Sequence, residues 1–144
     1  VRKLFSGDLE SFVKKCQLIA GAHEFAPGVS LSVTSDEVER AVASQAADEL
    51  INLKGIRAAI VVYGEGAGTS VSARSYGQIN VQFVMEKIGG GGSMNMAGAQ
   101  FADKKPPEVS ELVKRAVLEY LAEIEEQDRK AAQDGQSTEK GGAH

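Results

Sequence analysis

The sequence predicts an α/β fold in which a mixed β-sheet is flanked by helices. Apolar residues recur at helical spacing in four segments, and runs rich in β-branched residues lie between them. Two of these runs are joined by a short glycine-rich link, which favours an antiparallel hairpin. The predicted order is α-β-α-β-β-α-β-α, with a glycine-rich loop and an amphipathic C-terminal helix. The 144 residues, 42% of them hydrophobic, suffice for one packed core.

The first helix is predicted over residues 8–20, with Asp8 as its N-cap and an apolar stripe along one side. Cys16 lies on that stripe and is therefore expected to be a packed thiol. Residues 21–28 are predicted as a loop. Residues 29–33 alternate apolar and polar side chains, which is typical of a strand with one solvated face.

The second helix is predicted to open at residues 34–37 and to end before Gly55. Its inner side is expected to be Val38, Ala41, Val42, Gln45, Ala46, Leu50, Ile51 and Leu53. A buried strand over 56–63 and a strand over 69–75 then form the hairpin. The link GEGAG is followed by strand rather than helix, so it does not fit a dinucleotide-binding loop.

A short helix is predicted over 80–88, with Asn80 as its N-cap, and it stops at four consecutive glycines. Residues 93–101 are predicted as a turn of helix leading to a strand. The last helix begins at Pro106 and carries the clearest apolar stripe of the chain, as far as Ile124. From residue 127 no large apolar side chain follows, and the tail 127–144 is predicted to be disordered.

Charge and residue counts exclude several classes of function. Sixteen Lys and Arg face twenty Asp and Glu, a net charge of −4 that argues against a general binder of nucleic acid or membrane surfaces. Two histidines, His23 and the terminal His144, cannot build a zinc cluster, and a triad would rest on His23 alone. A single cysteine suits a reducing compartment, and no apolar run reaches the roughly 20 residues of a membrane span. The chain starts without Met, so we expect a piece of a longer protein.

The strand over 69–75 carries the first candidate for binding chemistry. Ser70, Ser72 and Arg74 share one face, because strand side chains alternate. The guanidinium offers a planar fork of donors that matches two phosphate oxygens. The alternatives are a solvated strand face or an arginine paired with a local carboxylate.

The four consecutive glycines, 89–92, are the second candidate. They permit positive φ and close approach of a ligand, and successive backbone N–H groups can bind an anion. A helical turn starting at Ser93 would add the positive end of its dipole. The alternative is a flexible link. Because one short helix separates the two candidates, they can meet at one sheet edge as a phosphodiester-binding site.

The run over 72–92, SARSYGQINVQFVMEKIGGGG, resembles the DHH-associated domain of DHH-family phosphoesterases, and the longer pattern is most similar to membrane-anchored cyclic-di-AMP phosphodiesterases. Agreement extends to VRKLF at 1–5, SQAADEL at 44–50 and MAGAQ at 96–100. The resemblance implies a substrate-binding domain whose catalytic partner, an upstream DHH domain with manganese, is missing here. It also implies that Arg74 and the glycines contact nucleotide. One position departs from the family, which usually has His where this chain has Ser93.

The resemblance implies two segments, a linker helix over 1–21 and a substrate-binding domain over 22–126. It does not cover the tail over 127–144, which composition alone predicts to be disordered. The expected ligand is a cyclic dinucleotide that the whole protein hydrolyses to a linear one. The alternatives are short oligonucleotides or a non-catalytic regulatory or dimerisation module. We expect a cytoplasmic location, the upstream DHH domain and a second copy as partners, and no membrane contact by this segment. No catalytic residue, metal ligand or cofactor is assigned in this chain, and the candidate substrate-binding residues are Ser72, Arg74, Ser75, Gly89, Gly90, Gly91, Gly92 and Ser93.

Overall fold

The computed structural model describes residues 2–142 of the chain, and the side chains of residues 7–135. It contains four helices and six strands within that part of the chain, which are, in order, α1 (Arg2–Ala20), β1 (His23–Ala26), β2 (Val29–Glu37), α2 (Arg40–Ile51), β3 (Ala58–Glu65), β4 (Gly68–Ser75), α3 (Val81–Glu86), β5 (Gly91–Gly92), β6 (Met96–Phe101) and α4 (Pro106–Gly142). The strands form one sheet in the order β1-β2-β3-β4-β6-β5. Strands β2 and β3 are parallel and the other neighbours are antiparallel, so the predicted α/β fold with a mixed sheet is confirmed.

The sheet separates two layers of helices. On one face, Ala59, Val61 and Tyr63 of β3 pack with α2 and with Leu18 of α1. On the other face, the alternate residues of β3 pack with α3 and α4. Because β3 is buried on both faces, its run of β-branched residues reads as continuously apolar, as the sequence predicts.

The hairpin of β3 and β4 is confirmed, with Glu65 opposite Gly68 at its turn. The helix cap at Asn80 is also confirmed, because the Asn80 side chain accepts a hydrogen bond from the backbone N–H of Phe83 at 3.3 Å. Helix α4 begins at Pro106 and buries its stripe from Val109 to Tyr120. These elements combine a strong periodic pattern with a local start or turn signal.

Helix α1 differs from its prediction in two ways. It begins at Arg2, so Asp8 lies inside the helix and is not its N-cap. Cys16 is exposed, and Leu9, Phe12 and Val13 are also exposed (61, 56 and 43%). The prediction of a packed thiol is wrong because, in the part of α1 whose side chains are described, only Leu18 is fully buried in the core.

The next elements also differ. Strand β1 occupies part of the predicted loop, and β2 continues to Glu37 where the sequence predicts the start of a helix. The predicted solvated face of β2 is covered, because Ser32 is 1% exposed and its hydroxyl donates to the Leu18 carbonyl at 2.6 Å. The sequence also places three residues wrongly on the inner side of the second helix: Ala41 and Gln45 are exposed on α2, and Leu53 is exposed after the helix has ended at Ile51.

Two further differences lie toward the C-terminus. Ser93 does not start a helical turn; its N–H donates to the Met96 carbonyl at 2.7 Å in the turn between β5 and β6. Helix α4 continues through residues 127–142, for which the sequence predicts disorder. The described side chains of 127–135 are all exposed, and the Gln, Arg, Lys and Ala residues among them favour helix without a core. Residues 143 and 144, and hence His144, lie outside the described part of the chain.

Candidate functional site

A cavity of about 620 Å³ lies over β4 and β6, beside α2 and the glycine run. Helix α2 packs on β3 and β4 and forms one wall. Strand β4 contributes the face that carries its hydroxyls and its arginine. The polar residues and glycines that α2, β4 and the glycine run contribute to the lining are Arg40 and Ser44 from α2, Ser70, Ser72 and Arg74 from β4, and Gly89, Gly90 and Gly91 from the glycine run.

Arg74 lines this cavity and is held by two hydrogen bonds. Its Nε donates to Asp48 Oδ1 at 2.9 Å and its Nη1 donates to the Ala73 carbonyl at 3.0 Å. The Arg74 side chain is 11% exposed, whereas that of Asp48 is 57% exposed. The structure therefore shows the alternative in which Arg74 is paired with a carboxylate, that of Asp48. Because the two bonds use two of five guanidinium N–H groups, the fork keeps donors for a ligand.

The other polar residues of β4 divide between its two faces. Ser70 and Ser72 lie on the same face as Arg74 and line the cavity. Ser75 lies on the opposite face, and its hydroxyl accepts a hydrogen bond from the backbone N–H of Gly77 at 3.0 Å. Ser75 is buried and contributes to the turn after β4, away from the cavity.

The glycine run is packed closely against β6. Gly89 has a φ of +89°, a backbone conformation that residues with a side chain rarely adopt. A Cβ at Gly90 would collide with the Gly98 carbonyl, and one at Gly92 would collide with the Met96 carbonyl. These glycines therefore have structural reasons to be glycine. The interpretation as a flexible link is wrong, because 91–92 are paired in the sheet as β5.

Gly91 differs from its three neighbours. Its φ is not positive, and a Cβ built there meets nothing within 4 Å. It pairs with Gly98 of β6 and lines the cavity. The fold does not require a glycine at 91, so the missing side chain there leaves open space beside the cavity.

Five of the eight candidate residues therefore line the cavity, and three do not. Gly92, the last residue of β5, and Ser93, in the turn that follows it, do not line the cavity. The Ser93 hydroxyl donates to the Met96 carbonyl at 3.2 Å, so this position is tied to its own turn.

Sequence reasoning missed four polar residues that line the cavity: Arg40, Ser44, Tyr63 and Gln100. Strand alternation could have found Gln100, because it is the partner of Ser70 in the antiparallel register of β4 and β6. Nothing local singles out Arg40, the first residue of α2. Arg40 forms an ion pair with Glu65 at 2.9 Å, and this hydrogen bond raises the pKa of the guanidinium, which stays charged.

The arrangement offers hydrogen-bond donors and two guanidinium groups, Arg40 and Arg74. Within residues 7–135, no group of three His, Cys, Asp or Glu side chains could hold a metal ion. No helix in the described part of the chain has the length and apolar character to cross a bilayer. The cavity is thus suited to binding an anionic polar ligand.

Comparison with known proteins gives a family match over most of the chain. Residues 26–123 match the family model "DHHA1 domain". The chain is 36% identical over 125 residues to the cyclic-di-AMP phosphodiesterase GdpP of Geobacillus thermodenitrificans, and 30% identical over 123 residues to the cyclic-di-AMP phosphodiesterase PdeA of Listeria monocytogenes. These matches cover 84% and 83% of this chain, but in each case only 19% of the relative.

Two solved structures share the fold. An exopolyphosphatase-related protein from Bacteroides fragilis aligns with a TM-score of 0.67 and 14% identity, over 76% of this chain and 34% of that one. The pGpG-specific phosphodiesterase PggH from Vibrio cholerae aligns with a TM-score of 0.52 and 13% identity, over 78% of this chain and 39% of that one. At these identities the likeness concerns the fold alone.

Proposed function

Because this chain belongs to the DHHA1 domain family, we propose that its cavity binds the nucleotide substrate of a phosphodiesterase. The observation that carries the proposal is that Arg74 and the glycines 89–91, which helix α3 separates in the sequence, line one cavity. A guanidinium fork and bare backbone together suit a phosphodiester. The cavity of about 620 Å³ lies within the usual size range of small-molecule sites.

The proposed substrate is cyclic-di-AMP, which the whole protein would hydrolyse to the linear dinucleotide. Two relatives at 36% and 30% identity are named as cyclic-di-AMP phosphodiesterases, which supports this choice. Manganese does not fit the described residues of this chain, since they offer no metal-binding group. Hydrolysis would therefore belong to a DHH domain of the longer protein, upstream of this one.

The remaining expectations stay predictions. They are the limits of a linker helix over 1–21 and a substrate domain over 22–126, a cytoplasmic location, a second copy as a partner, and no membrane contact by this segment. Short oligonucleotides remain the alternative ligand. One observation favours the alternative of an interaction module, namely the exposed apolar side chains of Leu9, Phe12 and Val13 on α1.

Titration of the chain with cyclic-di-AMP, its linear product and dinucleotides of mixed base tests the proposal. We expect the amide signals of Arg74 and of residues 89–91 to shift on binding, with the strongest affinity for the adenine dinucleotides. The absence of any shift at millimolar ligand would contradict nucleotide binding. Stronger binding of mixed-base linear dinucleotides would favour the oligonucleotide alternative.

The substitution Gly91→Val is expected to change ligand affinity without changing the fold. The valine side chain would extend into space that is empty in the structure, so the chain keeps its fold while the cavity is partly filled. We expect affinity for cyclic-di-AMP to fall about tenfold or more, since each 1.4 kcal/mol of lost contact corresponds to a factor of ten. The matched control is Gly135→Val, at an exposed position of α4, which should leave affinity unchanged. Equal affinity of the two variants would show that the ligand does not approach residue 91.

A further inference from the structure

Two arginines line the cavity, and they meet α2 at two positions, its first residue and Asp48. Arg40 is the first residue of this helix. Arg74 comes from β4 and reaches the helix at Asp48, two turns later. The eight steps from residue 40 to residue 48 correspond to about 12 Å along the helix axis. The two positions at which arginines meet α2 are therefore separated along one wall of the cavity.

The two arginines differ in how firmly they are held. Arg74 is nearly buried and also bonds its own strand through the Ala73 carbonyl. Arg40 is 60% exposed and its ion pair with Glu65, itself 37% exposed, is a surface contact. Exposed ion pairs contribute little net stability, because water competes for both partners. Arg40 can therefore exchange the Glu65 carboxylate for another anion at small cost.

We propose that Arg40 is a second anion-binding residue of the cavity and that it selects ligands with two phosphates over those with one. This proposal rests on the proposed function and names a property of the same site. In the free protein Glu65 is ion-paired with the Arg40 guanidinium. The Glu65 carboxylate therefore competes with the second phosphate of the ligand for binding to Arg40. The arrangement places Arg74 as the fixed contact and Arg40 as the exchangeable one.

The spacing of the arginines is what makes the ligand class specific. A single phosphate bound at Arg74 leaves Arg40 paired with Glu65. A dinucleotide has a second phosphate and a longer body, and it can extend along the wall past three polar side chains of the cavity, Ser44, Ser70 and Ser72. Arg40 therefore adds affinity only for the longer ligand.

Two substitutions should act in opposite directions on the affinity for cyclic-di-AMP, measured by calorimetry on the 144-residue chain. Arg40→Gln removes the second cation and should weaken binding about fivefold, the scale of a partly exposed charge contact. Glu65→Gln removes the competitor and should strengthen binding by about twofold or more on the same scale. The affinity for AMP, a probe with one phosphate, should change less than about twofold in both variants.

Charge-matched controls come from α4 on the other side of the sheet. Arg115→Gln and Glu125→Gln make the same changes of net charge at exposed positions and should leave both affinities unchanged. If Arg40→Gln binds cyclic-di-AMP as tightly as the unmodified chain, or loses AMP affinity equally, the second-phosphate role is refuted while nucleotide binding stands. If the unmodified chain binds neither probe, the proposed function fails and this proposal fails with it.

Discussion

Replacement of Gly98 by alanine tests whether the sheet requires glycine where β6 passes the cavity. Gly98 lies between Ser72 of β4 and Gly91 of β5. A Cβ at this position would lie 2.6 Å from the Val71 carbonyl oxygen, well inside van der Waals contact. The opposing atom is backbone in the central part of the sheet, so it cannot rotate away as a side chain would.

We expect Gly98→Ala to lower the free energy of unfolding by about 3 kcal/mol, the upper end of the usual cost of overpacking. For a chain of this size, that corresponds to a drop of about 10 °C in the midpoint of thermal unfolding. Far-ultraviolet circular dichroism during heating measures it.

Gly91→Ala is the matched control, because residues 91 and 98 are paired across β5 and β6. Its Cβ meets nothing and its φ is not positive, so the midpoint should stay within about 2 °C of the unmodified chain. A Gly98→Ala protein that unfolds within about 2 °C of the unmodified chain would refute the reasoning, and so would equal losses in the two variants.

Two other predictions concern contacts outside the cavity. Ser32→Ala leaves the buried Leu18 carbonyl without its 2.6 Å hydrogen bond, and should lower the free energy of unfolding in urea by about 1 kcal/mol; an unchanged urea midpoint would contradict it. Lys87 bonds Glu123 at 2.7 Å and Glu119 at 3.4 Å, and the hydrogen bond to Glu123 raises its pKa above the ordinary 10.5, against a smaller opposing effect of burial. A pKa that is raised in the folded state stabilises the fold at pH values below the pKa of the unfolded state, and this stabilisation is lost as the pH rises through the pKa of the folded state. The difference in thermal midpoint between the unmodified chain and Lys87→Gln should therefore be constant from about pH 6 to 9 and shrink above pH 10.5. A difference that disappears between pH 6 and 9 would contradict this.

The fold could be predicted where periodicity and a local signal agree. The hairpin, the cap at Asn80 and the start of α4 at Pro106 each combine the two. The errors arise where burial depends on a neighbour that is remote in sequence. Cys16 lies on an apolar stripe but no described helix covers it, whereas Ser32 lies on a polar stripe and is covered by α1. Alternation along a strand specifies which residues share a face, but not whether anything packs on that face.

In the candidate site, too, local sequence patterns predict some residues, whereas contacts between remote parts of the chain determine the others. Alternation places Ser72 and Arg74 on one face, and the glycine run identifies a second part of the cavity lining. The ion pair of Arg74 with Asp48 was open as an alternative, but its partner could not be named, because it lies 26 residues away on another element. Arg40 was missed for the same reason, since only the packing of α2 across the sheet brings its first turn to the cavity.

The short outer strands of the sheet have a consequence for self-association. The sheet ends at β1, with four residues, and at β5, with two glycines. Aggregation by edge-to-edge strand addition needs a long row of unpaired backbone groups, and strands this short supply very few. We therefore expect the chain to resist cross-β aggregation through either edge strand at high concentration, although β5 carries no charged side chain.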